Sequence, residues 1–206
     1  MPELAVFFHR RSKIKYFAKR IIECITGYTV RYHVPPREKK EIFLTFDDGP
    51  IPATLDILDL LDEYKKKAVF FVVAENVKKY PQIAREIVKR GQLVGLHGLT
   101  HINMKELSLL EFSRQTKEGL KIIKEICGVE AKYFRPPFGQ INMIQTAWIL
   151  ARGMILFLWS CGVSNSGELD FINPAVSLGN KGKITQRRLI FLLHDYTPLD
   201  VVKKYL

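Results

Sequence analysis

The sequence contains no apolar run approaching the roughly 20 residues that a membrane-spanning helix requires, so no such helix is expected. Its three cysteines, Cys24, Cys127 and Cys161, are odd in number and far apart. That excludes a disulfide framework and reads as free thiols in a reducing compartment. There is no internal repeat, low-complexity tract or long flexible linker, which leaves the 206 residues to build one core. The first residues, "MPELAVFFHRRSKIKYFAKR", lack the organisation of a secretory signal. Their apolar stretch is short, precedes the basic residues and leads to no small-residue cleavage site. A cytoplasmic protein, or one peripheral to the cytoplasmic membrane, is the expectation. No recognised nucleic-acid motif accompanies the positive charge, so specific nucleic-acid binding is not expected.

What is present is an ordinary globular composition, 47% hydrophobic and 26% charged, with a formal net charge of +11. The charge is uneven: residues 1–40 hold ten Lys or Arg and three Glu. Within them Ile14, Phe17, Ile21 and Ile25 recur at helical spacing, with Lys13, Lys15, Lys19 and Arg20 on other faces. Such a helix can lie on an anionic membrane through residues 10–27, or its apolar stripe can pack on the domain and leave the charges solvated. "HVPPREKK" (33–40) is the one plausible joint, dividing a basic arm, 1–40, from a domain, 41–206.

Beyond the joint, apolar runs at 41–46, 68–73, 93–97, 132–135, 154–159 and 189–194 read as buried strands. Helical patterns lie between them near 53–65, 81–90, 106–127 and 142–152. Regular alternation implies an α/β fold with a parallel sheet, open or closed into a barrel. The polar residues fall at the strand ends: "DDGP" after the first strand, "HGLTH" after the third, "RPPFG" after the fourth and "HD" after the last. In a parallel α/β fold these ends share one rim, where active sites form.

"LTFDDGP" (44–50) sets two neighbouring carboxylates, Asp47 and Asp48, at the end of a buried strand, where each makes the other costlier to ionise. Alone, it could be a solvated turn. His97 and His101 are four apart, and a helical turn there would put both imidazoles on one side. With an Asp from a neighbouring strand they would form a two-histidine, one-carboxylate set with coordination positions left open, as a catalytic metal site requires.

Together these segments resemble the polysaccharide deacetylase family, the carbohydrate esterases of family four with the NodB-homology domain. Thr45 to Pro50 match its T-F-D-D-G-P motif, and His97 and His101 match its H-[ST]-x-x-H motif, with Gly98 in place of the hydroxyl residue. Arg135 to Gly139 match the Arg-Pro-Pro-aromatic-Gly segment, and Leu192 to Asp195 the last motif. The fourth motif is eroded: "WSCGVSNS" (159–166) keeps Trp159 and Ser160 but has Asn165 where the family has an aspartate that holds the catalytic histidine, and Ser166 for a tryptophan. The resemblance spans roughly residues 40 to 200.

The resemblance implies a single distorted (β/α) TIM-like barrel of about seven strands, closed differently at the C-terminus from relatives that run on further or left open on one side. It implies one divalent metal, zinc first, with Co, Ni or Mn as alternatives, held by Asp48, His97 and His101. Asp47 would be the general base, oriented by Arg135 (otherwise a surface ion pair), and His194 the general acid. The backbone N–H of Phe138 would meet the oxyanion. Trp159 and Leu192 would line the acyl pocket, or equally be core. The implied reaction removes an N-acyl group from an amino sugar of a polysaccharide, peptidoglycan or lipid-linked glycan. The absence of a signal peptide argues mildly against an exported wall enzyme, and the basic helix mildly for a membrane-proximal substrate. A monomer or weak oligomer is expected. Two other readings remain open: a pseudo-enzyme that binds carbohydrate without cleaving it, and a basic binder of anionic surfaces.

Overall fold

The computed structural model describes residues 30–31, 41–172 and 188–206. The amphipathic segment 10–27 and Cys24 lie outside the described residues.

The strands are β1 (Val30–Arg31), β2 (Glu41–Asp47), β3 (Ala68–Val72), β4 (Leu93–Leu96), β5 (Tyr133–Phe134), β6 (Ile155–Phe157), β7 (Cys161–Val163), β8 (Leu169–Ile172) and β9 (Arg188–His194). They form one sheet in the order β1-β6-β5-β4-β3-β2-β9-β7-β8, curled into a distorted (β/α) barrel. Every neighbouring pair is parallel except β7 and β8. β1 and β8 occupy the two edges, so hydrogen bonding does not close the barrel among the described residues. The six apolar runs of the sequence become β2, β3, β4, β5, β6 and β9. Strands β1, β7 and β8, of two, three and four residues, lie outside those apolar runs.

The helices are α1 (Thr54–Glu63), α2 (Ala74–Lys79), α3 (Pro81–Lys89), α4 (Leu109–Cys127), α5 (Met143–Leu150) and α6 (Leu199–Lys203). The expected helix over 106–127 begins later, at Leu109, because Ser108 caps it by accepting from the Glu111 N–H at 3.2 Å. It ends where Gly128 takes the left-handed conformation (φ 72°). A separate 3-10 turn, Met104–Glu106, precedes it.

Alternation along the strands divides two apolar layers. Leu44, Phe46, Phe70, Val72, Leu96, Phe134 and Leu193 pack outward, in one cluster with Ile57, Leu58 and Leu61 of α1 and Phe112 and Ile123 of α4. The residues between them point inward, where Val69, Phe71, Phe157 and Ile190 form a smaller plug with Phe43, Tyr133, Ile155 and Trp159. Burying each such Phe, Leu or Ile side chain contributes about 1.5–3 kcal/mol. Cys127 and Cys161 are free, and burial pushes both thiols up to about 11. Among the described residues no helix is long and apolar enough to cross a membrane.

Candidate metal centre and active site

The inward rows run on past the plug to the C-terminal rim. Phe43, Thr45 and Asp47 share one face of β2, and Ile190, Leu192 and His194 share one face of β9. Register pairs Thr45 with Leu192 and Asp47 with His194. Ladder bonds extend beyond the strand ends: His97 N–H to Val72 O (2.8 Å), Arg135 N–H to Leu96 O (3.0 Å) and Asp195 N–H to Asp47 O (3.0 Å). They carry His97 onto the inward row of Gly95, and Arg135 onto that of Tyr133. The side chains that the sequence scatters over 148 positions are therefore the next inward step of β5, β4, β2 and β9 in one sheet.

The two acids are separated by backbone geometry. Asp47 ends β2 and is buried, with Oδ1 accepting from an Arg135 guanidinium N–H at 2.7 Å and Oδ2 3.6 Å from His97 Nε2. Asp48 adopts the left-handed conformation (φ 73°), and its carbonyl accepts from the Asn76 amide at 2.7 Å. Its Oδ1 lies 3.2 Å from His101 Nε2 and 3.5 Å from His97 Nε2 yet is buried without a hydrogen bond. Gly49 follows because a Cβ there would collide with the Asp195 carboxylate.

The histidines do not meet through a helical turn. Residues 97–103 form an irregular loop, and Gly98 (φ 94°) bends it at a point where a Cβ would lie 2.7 Å from Thr100 O. That left-handed bend explains why glycine stands in place of the expected hydroxyl residue. His97 Nδ1 donates to Arg135 O at 2.8 Å, which leaves the Nε2 lone pair facing Asp48. Burial pushes this imidazole below its ordinary pKa, against the pull of Asp47 and Asp48, which favours the neutral form. The ligating atoms of Asp48, His97 and His101 all lie within 4.8 Å of one another. An orphaned carboxylate oxygen facing two imidazole nitrogens is a set of acceptors with no donor, and a divalent cation fits it.

Arg135 is fully buried, not a surface ion pair. Besides Asp47 it donates to Thr45 Oγ1 (2.8 Å) and Leu158 O (3.3 Å), and its guanidinium lies 4.1 Å from the Phe71 ring centroid. Phe71 has room because a Cβ on Gly95 would come within 2.6 Å of its ring. Burial pulls the guanidinium below its ordinary pKa, with Asp47 opposing.

Phe138 sits in the left-handed conformation (φ 58°), its ring edge-on to His101 with centroids 4.5 Å apart. Trp159 is half-buried beside the inner plug, and a Cβ on Gly139 would meet it at 2.6 Å. Leu192 is half-buried on the same inward face. Asn165 lies exposed in the turn between β7 and β8, where Ser164 and Glu168 bond to each other. No hydrogen bond joins Asn165 to His194 among the described residues. The ring that packs on His194 is Tyr196, with centroids 4.8 Å apart and planes at 12°.

Two residues at the site were assigned no role from the sequence. Asp195 is fully buried and accepts from Thr54 Oγ1, while its Oδ1 has no partner. Burial pushes its carboxyl up to about 8, with Asp47 and Asp48 adding and Thr54 opposing. Tyr196 is half-exposed, and burial and the nearby Asp48 and Asp47 carboxylates raise its phenol. Asp195 was marked only as the end of the last motif, and Tyr196 only by following it.

A family model for polysaccharide deacetylase matches residues 34–151. A peptidoglycan-N-acetylglucosamine deacetylase of Bacillus cereus is 36% identical over 172 residues, 80% of this chain and 63% of the relative. Another from that organism matches over 46% of its length, so the chain spans about half to two thirds of these two relatives. A chitooligosaccharide deacetylase of Rhizobium leguminosarum is 30% identical over 80% of this chain and 76% of the relative. Among solved structures, a peptidoglycan N-acetylglucosamine deacetylase superposes with a TM-score of 0.74 at 26% identity, covering 89% of this chain and 87% of that one. A CE4 family pseudoenzyme from Bacillus anthracis superposes at 0.70 with 25% identity, over 84% of this chain and 61% of that one.

Proposed function

From the membership of this chain in the polysaccharide deacetylase family, we propose that it hydrolyses the N-acyl group of an amino sugar in a glycan, releasing a carboxylic acid and the free amine. The observation that carries this reading is the Asp48–His97–His101 acceptor set directly beside the arginine-paired Asp47. Asp48, His97 and His101 would hold one divalent metal, zinc by preference for two imidazoles and a carboxylate. Bound there, it supplies Lewis-acid polarisation of the acyl carbonyl and acidifies water.

The chain's own groups would do the rest. Asp47 takes the proton from the attacking water, its Oδ1 fixed by Arg135 and its Oδ2 turned toward the metal ligands. The Phe138 N–H donates to the developing oxyanion. His194, across the ladder from Asp47, gives a proton to the departing amine. Trp159 and Leu192 take the acyl methyl on the inward face. Substrates of the peptidoglycan or chitin-oligomer kind follow from the relatives. The basic segment 10–27 would add peripheral contact with an anionic membrane.

The exposed position of Asn165 favours one rival, a carbohydrate-binding protein that does not cleave. Metal analysis with mass spectrometry of N-acetylglucosamine oligomers decides between them. About one divalent ion per chain and mass losses of one acetyl group are expected. Asp48→Ala and His97→Ala should lose the metal, whereas Asp47→Asn should keep it and lose turnover. A metal-loaded protein that leaves every oligomer intact would establish the non-cleaving reading.

A further inference from the structure

His194 ends β9 in a turn that closes on itself. The Thr197 N–H donates to His194 O and the His194 N–H donates to Thr197 Oγ1, both at 2.9 Å. The residues between are sent opposite ways. Asp195 goes into the interior, to Thr54, and ties its N–H to Asp47 O. Tyr196 is left on the rim, 51% exposed, yet its ring lies nearly parallel on the His194 imidazole. Core packing does not require a large aromatic there, because half of it is in water. The phenol end faces Asp48.

An imidazole that delivers a proton has to be held at one rotation about its Cβ–Cγ bond. A carboxylate on the far ring nitrogen is one way to do so, and Asn165, out in the β7–β8 turn, supplies none. Glu168, in the same turn, is exposed and makes backbone bonds with Ser164. Among the described residues the ring of His194 has one close aromatic partner, a flat face that permits the imidazole to lie in one plane and opposes its rotation out of it.

We propose that Tyr196 is the positioning residue for His194, holding the imidazole by stacking where the fourth motif offers no carboxylate. Its catalytic consequence rests on the deacetylase reading; the stack itself does not. The ring, not the hydroxyl, is the working part.

The test compares Tyr196→Ala with Tyr196→Phe in the full, metal-loaded chain, by steady-state kinetics on N-acetylglucosamine oligomers and by NMR of the histidine ring protons. Assignment of His194 uses His194→Gln. A misoriented proton donor should lower kcat by about 10- to 100-fold in Tyr196→Ala with KM within a few-fold, and Tyr196→Phe should recover kcat. The ring-current shift of the His194 protons should be present in the parent and in Tyr196→Phe and lost in Tyr196→Ala. Parent-like kcat in Tyr196→Ala overturns the proposal, as does a His194 signal that ignores the substitution. If Tyr196→Phe is as impaired as Tyr196→Ala, or if Tyr196→Ala loses metal, the phenol acts through Asp48 and the proposal is also wrong. If the parent cleaves no N-acyl amino sugar, the deacetylase reading fails, while the proton shifts still decide whether the stack exists.

Discussion

Asp47 and Asp195 are buried acids on adjacent strands with opposite solutions to burial. Asp47 is paired with Arg135, a fully buried guanidinium with Phe71 beneath it. Removing one partner of such a pair strands the other charge and costs about 3–5 kcal/mol. Arg135→Met should therefore lower unfolding stability by that amount in a denaturant titration, and a loss under about 1 kcal/mol would mean that the Asp47–Arg135 pair contributes no more than a surface ion pair. Asp195 has no cation, and burial pushes it up to about 8, against about 3.9 in an unfolded chain. Between those values the folded state holds a proton that the unfolded state has released. This group therefore costs stability as pH rises from about 4 to 8, and nothing further above that. Asp195→Asn should flatten that slope, read as denaturation midpoints of chelator-treated protein at pH 5 and pH 8. An unchanged slope would remove Asp195 from the account.

At the scale of elements, α5 positions the site more than its eight residues suggest. Gln145 and Asn142 form a capping box, and the Gln145 side chain also donates to Met104 O (2.8 Å) and Leu107 O (3.0 Å). Those bonds pin the end of the irregular loop that carries His101. Gln145→Ala removes one of the two donors to Met104 O, which keeps the Leu107 N–H, and the side-chain donor to Leu107 O, at about 0.5–1.5 kcal/mol for each hydrogen bond, and loosens the loop. Both a lower melting temperature and a weaker metal affinity are expected, measured calorimetrically and by competition with a chelator. Unchanged affinity would show that the loop is set from elsewhere. This contact also marks what the sequence could show. The apolar runs gave the six principal strands and the rim, and the motif residues gave the Asp48–His97–His101 cluster, because both are local patterns. The helical turn expected for His97 and His101 was wrong because Gly98 needs a left-handed bend, which spacing does not encode. Gln145 bonds to residues on another element, and Tyr196 meets His194 through the closure of one turn; no periodicity reports such contacts.

For the whole molecule, the question is what the uneven charge does. Residues 1–28 carry six of the Lys and Arg residues (10, 11, 13, 15, 19 and 20) and two acids, Glu3 and Glu23. The cut has to fall before Val30, because Val30 and Arg31 pair in parallel with Leu156 and Phe157 at the sheet edge. Removing 1–28 spares β1 and leaves Asp48, His97 and His101 in place. Turnover of a short soluble oligomer should then stay within a few-fold of the parent. Basic residues near an anionic bilayer contribute about 1 kcal/mol each, so loss of six should abolish cosedimentation with phosphatidylserine vesicles at moderate salt. The competing arrangement, in which Ile14, Phe17, Ile21 and Ile25 pack on the domain, gives the opposite pattern. Stability and soluble-substrate turnover would fall together, and the parent itself would not bind vesicles. The two arrangements differ in which solvent the apolar stripe leaves water for, a lipid interface or the protein's own surface, and the paired measurements read that difference directly.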